Sequence, residues 1–360
     1  MAGLKSELFQ ITSIAGGKDQ TLARLSSGEV LGWGGAGSGR VTPLYVDICG
    51  SRSPRTEPVY VGKPMHYQDI SAGYGVSLGI SEQKPYIWGF CQVGISGNDL
   101  FSEVPMPIKD LSSINKVAAG QFIFAAINQA GEVYTWGLNV DGALGRASDQ
   151  INASPALLSG LPPIKDIVLG DNFMMALTQD GRLYGWGSNS AGQLGLGHLN
   201  TSNIPEPISL SAKISSITVG STHVLAVSSE GKVYGWGSNQ FDQSGASSHP
   251  YIDTPKLISL PEKITAVAAG MHYSLALSSS GKVYAWGWNG FGQLGLGDMK
   301  SRSTPFVIPN LTGVRSIAAG ETHAVAIGKD HLLGWGNNAS KQIGNAAEKQ
   351  MTPFSFLGIA

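Results

Sequence analysis

Seven copies of one unit of about fifty residues, each with four strand-length apolar runs, predict an all-β chain folded as a seven-bladed β-propeller. Three observations carry that reading. The dipeptide Trp-Gly recurs at Trp33, Trp88, Trp136, Trp186, Trp236, Trp286 and Trp335, at intervals of 55, 48, 50, 50, 50 and 49 residues. A glycine precedes each tryptophan at a near-fixed distance, 16 residues for Gly17, Gly120, Gly170, Gly220 and Gly270 and 15 for Gly73 and Gly320. The runs between them are short, rich in Val and Ile and punctuated by glycine, which suits strands and turns and argues against helical repeats.

The sixth copy shows the elements in order. Apolar runs at 255–260, 264–269, 273–277 and 282–286 are each of strand length. Ser278-Ser279-Ser280-Gly281 reads as a hairpin turn, with equivalents at Gly28, Gly131, Gly181 and Gly231. The second copy replaces that turn with Glu82-Gln83-Lys84-Pro85, and the seventh is compressed around Gly328-Lys329-Asp330. A Gln-Leu-Gly-Leu-Gly tail leads to the next unit. The strand-end glycine is expected where the inner strands crowd toward an axis. The C-terminal segment 351–357 matches 304–308, the run that opens a unit, with no unit after it. It is therefore expected to close the first blade, with residues 3–9 as the rival for that slot.

One closed array implies a single domain over 1–360, with one insertion at 41–55 between the first and second repeats. Charged residues make up 14%, against about 25% in typical chains. A net charge of −1 gives no attraction for nucleic acid. Cys49 and Cys91 cannot make a disulfide framework, so a reducing compartment is expected. No signal-like run, 18-residue apolar stretch or prenylation cysteine is present, so a cytoplasmic monomer without membrane insertion is expected.

Conventional catalytic motifs are absent, and no catalytic residue, cofactor or metal is expected. Gly192-Gln193-Leu194-Gly195-Leu196-Gly197 imitates a dinucleotide loop but reads as a turn, because no helix follows it. The seven histidines show no metal-ligand spacing.

The Gly-x-Val-Tyr-x-Trp-Gly strand and the Asn-x-x-Gly-Gln-Leu-Gly-x-Gly tail, best seen at 181–197 and 281–297, resemble the RCC1 repeat over about residues 10–357. That family's fold is a seven-bladed propeller with a large protein-binding face. Members include the exchange factor for the GTPase Ran, scaffolds, bacterial effectors acting on host GTPases and a plant ultraviolet photoreceptor. The photoreceptor's Gly-Trp-Arg-His-Thr motifs are absent, and only Trp288 lies outside the repeat position.

Repeat symmetry puts seven segments around one mouth of the channel. They are Lys18-Asp19-Gln20, Tyr74-Gly75-Val76, Gln121-Phe122-Ile123, Asp171-Asn172-Phe173, Ser221-Thr222-His223, Met271-His272-Tyr273 and Glu321-Thr322-His323. In the Ran exchange factor acidic and His residues at these positions meet the GTPase. The resemblance thus points to Asp19, Asp171, His272 and Glu321 as partner-binding residues, with Asn172 and an exposed Phe122 beside them. It also implies that His223 and His323 are structural, bonded between neighbouring blades. Arg52 and Arg55 of the inserted loop are further docking candidates. The implied partner is Ran or another small GTPase of the Ras superfamily, with guanine-nucleotide exchange driven by binding alone. For a bacterial effector the site of action would be the host cytosol. The Ran exchange factor's basic tail is missing, only Lys5 preceding the repeats, which disfavours a nuclear location. Its β-wedge has no counterpart in the third copy, which leaves a non-catalytic scaffold or adaptor as the alternative.

Overall fold

The computed structural model describes residues 11–35, 55–62, 65–91, 100–147, 152–245, 247, 249–329 and 331–358. It shows seven four-stranded antiparallel sheets, each built from four consecutive strands. Blades 1 to 7 span 11–60, 69–107, 114–158, 164–207, 214–258, 264–307 and 316–358. The first strand of each blade lines the central channel and the fourth lies at the rim.

The expected clasp is corrected here. The C-terminal strand Lys349–Gly358 pairs with His331–Asn337 and completes blade 7, whereas blade 1 takes its outer strand from Arg55–Tyr60. The run read as opening each unit is the outer strand of the blade before it. The physical reason is local. Each Trp-Gly strand presents an unpaired edge, and the next strand in the chain is the nearest partner for its N–H and C=O groups.

The outer strands end the sheets, and each carries a proline: Pro58, Pro105, Pro155, Pro205, Pro255, Pro305 and Pro353. A residue without an N–H weakens the edge as a template for a further strand.

The Trp-Gly pair has a structural cause. All seven glycines, Gly34, Gly89, Gly137, Gly187, Gly237, Gly287 and Gly336, have φ between +93° and +108°. Pairing with the outer strand skips the tryptophan in every blade, so each pair is a β-bulge. A Cβ on Gly137 would lie 2.3 Å from the Phe122 carbonyl oxygen, so the site excludes side chains on space as well as on φ. The seven indoles are fully buried. In blades 4 to 7 the indole N–H donates to the tail loop of the preceding blade: Trp186 to Ala143 O, Trp236 to Gln193 O, Trp286 to Gln243 O and Trp335 to Gln293 O, at 2.9–3.0 Å. The repeat is therefore a device for joining blades as well as filling them. The loop that imitates a dinucleotide motif serves the same joint, because a Cβ on Gly195 would fall 2.8 Å from Trp236 Nε1.

The hub glycines are needed for close approach. A Cβ on Gly73 would sit 2.4 Å from Gly120 O, and one on Gly270 2.6 Å from Gly320 O. The backbone steps from blade to blade there. Lys18 N donates to Gly73 O, Tyr74 N to Gly120 O, Asp171 N to Ser221 O, Met271 N to Glu321 O and Glu321 N to Gly17 O, at 2.8–3.3 Å. The last of these bonds joins blade 7 to blade 1 and closes the ring.

Candidate protein-interaction face

The hairpin turns lie at one end of the blades and the hub glycines at the other. The residue after each hub glycine forms a ring of seven around the channel mouth: Lys18, Tyr74, Gln121, Asp171, Ser221, Met271 and Glu321. They line the open mouth of the channel. The third residue after each glycine points the other way, into the joint between blades. Gln20, Ile123, Phe173, His223, Tyr273 and His323 are all buried there.

His223 and His323 are structural, as the family resemblance implied. His223 Nε2 lies 2.9 Å from Ser274 Oγ in the next blade, and His323 Nε2 lies 3.0 Å from Thr21 Oγ1. Tyr273 performs the same joining with a phenol, donating to the carbonyls of Gly320 and His323. Gln20 donates to Val76 O at 3.1 Å and to Ser77 Oγ at 3.0 Å.

The mouth is an electrostatic cluster. Lys18 Nζ stands 4.0 Å above the Tyr74 ring, and Tyr74 OH donates to Glu321 Oε1 at 3.4 Å. Burial pulls the Lys18 ammonium down, but Tyr74, Glu321 and Asp19 together hold it above its ordinary value. Burial raises Asp171 to about 6, against a bond from Ser221 and with the Glu321 charge adding to the rise. Burial also raises Asp19 to about 6, with Glu321 adding and Lys18 opposing. Glu321 itself is raised by burial, partly offset by Lys18 and by the Tyr74 bond. Glu321 and Asp19 thus share the Lys18 ammonium, and Asp171 adds a third carboxyl that feels the Glu321 charge. Deeper in the channel Lys116 pairs with Asp166 at 3.1 Å, and Asp69 accepts the Val117 N–H at 3.1 Å.

The predicted site residues therefore separate. Asp171 and Glu321 face the mouth. Asp19 lies behind it, 9% exposed, and its carbonyl accepts the N–H of Gly35. Asn172 is half-buried at φ +56°, its carbonyl taken by Ser188 N. Phe122, expected to be exposed, is half-buried and packs on the core between blades 2 and 3. His272 stands off the mouth, in ring contact with Phe241 and Trp288, and burial lowers its pKa. Arg52 and the inserted loop up to 54 lie outside the described residues, as does the side chain of Arg55. Sequence reasoning passed over Lys18 and Tyr74 as candidates because it sought carboxylates and histidines. It also passed over Phe241 and Phe291, although Trp288 was visible as the tryptophan out of register.

Among the described residues no group of three or more His, Cys, Asp or Glu is placed to share a metal ion, and no helix is long and apolar enough to cross a membrane.

Known proteins match this architecture. Human WBSCR16 superposes with a TM-score of 0.78 at 23% identity, covering 91% of this chain and 93% of its own. Prp20p of Saccharomyces cerevisiae, whose structure is described with its binding to Gsp1p and histones, superposes with a TM-score of 0.76 at 23% identity, covering 88% and 82%. At these identities the likeness is one of fold. The ultraviolet-B receptor UVR8 of Arabidopsis thaliana is 29% identical over 156 residues, which are 41% of this chain and about a third of the receptor's length. The family model for the RCC1-like domain matches residues 92–357. That match spans most of the sequence, and this chain belongs to the RCC1-like domain family.

Proposed function

We propose that this propeller binds a protein partner through its hub face, and that the partner is a small GTPase whose guanine-nucleotide release it promotes. The observation that carries the reading is the division of labour after the hub glycines. The third residue of each segment is committed to the blade joints, while the first, different in every blade, turns to the mouth. Asp171, Glu321, Lys18 and Tyr74 make that mouth charged and partly desolvated, as a recognition surface requires. Exchange needs no acid–base step. Whatever binds the nucleotide-free GTPase better than the loaded one lowers nucleotide affinity by the same factor. Prp20p, of the same fold, is described with binding to Gsp1p, which makes Gsp1p the first partner to try.

The test is release of fluorescent GDP from Gsp1p and from Ran, Rab and Rap proteins on mixing with the full chain. Acceleration with one of them supports exchange. No acceleration anywhere in the panel removes it.

The second reading is a scaffold that binds without exchange. It is favoured by the third blade, where 13 residues separate the strands Val133–Leu138 and Asn152–Leu158, leaving no room for a wedge-like insertion. It is the outcome if a GTPase is captured and its release rate stays unchanged.

A further inference from the structure

The tail loops of blades 5 and 6 bring an aromatic cluster to the hub face. Ring centroids of Phe241 and His272 are 5.3 Å apart, Phe241 and Trp288 6.0 Å, His272 and Trp288 6.1 Å, and Trp288 and Phe291 5.5 Å. All four side chains are partly exposed.

The repeat shows that the fold does not require them. Trp288 N donates to His272 O at 2.9 Å, the bond that Ser188, Ser238 and Asn337 make to the equivalent carbonyls. Small or polar residues suffice at that position in blades 1, 4, 5 and 7, where Gly35, Ser188, Ser238 and Asn337 make the bond, and Leu138 makes it in blade 3. Phe241 and Phe291 stand where blades 4 and 7 have Ala191 and Ser340. The Trp288 ring lies against Gly290, where a Cβ would meet Cζ2 at 2.6 Å, while blades 3, 4, 5 and 7 carry Val140, Ser190, Gln240 and Ala339. Blade 6 thus combines a tryptophan with the glycine that makes room for it.

The aromatic faces of the cluster suit a cation. Lys349 Nζ already stands 5.3 Å from the Phe291 centroid. The patch adjoins the mouth through Met271, the chain neighbour of His272, which lines the mouth together with Asp171 and Glu321. Arginine fits such a place better than lysine, because its planar, weakly hydrated guanidinium stacks on aromatic rings.

We propose that Phe241, His272, Trp288 and Phe291 form an anchor site for an arginine side chain of the protein partner, its guanidinium stacked on Trp288 beside the anionic mouth. The proposal rests on the hub face being the binding surface and adds the chemistry of the contact.

The test uses the full chain labelled with 5-fluorotryptophan, its Trp288 resonance assigned with Trp288→Phe. The probe is acetyl-Gly-Arg-Gly-amide. A saturable shift of the Trp288 signal, with the seven buried indoles unmoved, is expected. The citrulline peptide, equal in shape but neutral, is expected to bind about tenfold more weakly. Absence of a saturable shift, or equal shifts with citrulline or leucine in place of arginine, overturns the anchor. A folded Trp288→Ala variant that accelerates GDP release as the unmodified chain does also overturns it, while leaving the hub reading intact. If the unmodified chain acts on no GTPase, that reading falls, and the peptide titration still decides the anchor.

Discussion

His323 Nε2 lies 3.0 Å from Thr21 Oγ1, joining the last blade to the first across 302 positions of chain. The single hydroxyl hydrogen of Thr21 goes to Gln342 O at 2.8 Å. The proton of the pair is therefore on Nε2, and the imidazole donates. Between blades 5 and 6 the arrangement recurs, with Ser274 donating to Gln243 O at 2.7 Å and receiving His223 Nε2. Thr21→Val keeps the shape and removes the bridge, leaving a buried N–H unsatisfied. A loss of about 1–3 kcal/mol is expected from urea denaturation, and Ser274→Ala should cost a similar amount. Unchanged midpoints would show that the seam is held by the hub backbone alone.

Stability should depend on pH through two opposed sets of groups. Burial lowers His223 and His323 to about 3, so the unfolded chain takes up protons that the folded one refuses. Their contribution is present above pH 6.5 and is lost as pH falls toward 3. Asp19 and Asp171 are raised from 3.8 to about 6, so the folded chain holds the extra protons. Their contribution is greatest below pH 3.8 and is lost as pH rises through about 6. Asp171→Asn should therefore melt above the unmodified protein at about pH 8 and match it at about pH 4. A variant less stable at the higher pH would mean that the hub favours the carboxylate.

The hairpin of blade 2 carries local strain. Glu82 and Gln83 have φ of +51° and +62°, positions that Asn-Gly fills readily. Replacing them by Glu82→Asn and Gln83→Gly loses one exposed bond, from Gln129 Nε2 to Gln83 Oε1 at 3.1 Å. The double variant should gain about 1–2 kcal/mol in chemical denaturation, because each left-handed non-glycine residue costs about that much. No gain would place the cost of the turn elsewhere.

Core and mouth should separate under mutation. Trp186→Ala removes a fully buried indole and its bond to Ala143, and should cost about 3–5 kcal/mol. Asp171→Asn, which removes a buried charge, should not lower the melting temperature at about pH 8 and should weaken partner binding. The reverse pattern would move recognition away from the mouth.

Much of this was legible in the sequence. The Trp-Gly spacing and the hub glycines gave blade number and channel, because each glycine sits where a Cβ has no space. The phase of the repeat was not legible. A ring of like units can be cut at any strand, and only the pairing of 331–337 with 349–358 shows where a blade ends. Symmetry located the mouth but not the direction of each side chain. Asp19 is drawn behind the mouth because its carbonyl holds Gly35 at the bulge of blade 1. Phe122 similarly packs inward, above a carbonyl held by Leu138. Trp288 stood out as a tryptophan away from the repeat position, but its neighbours Phe241 and Phe291 lie 47 and 3 residues from it, and only the fold brings them together.

The most direct measurement is hydrogen–deuterium exchange of the chain with nucleotide-free Gsp1p, prepared by chelating Mg²⁺. Protection is expected in the seven hub segments, above all at 171–172, 271–272 and 321–322, with the hairpin turns unchanged. Protection confined to the hairpin face, or none at the hub, would contradict the claim that the mouth of this propeller is where it recognises its partner.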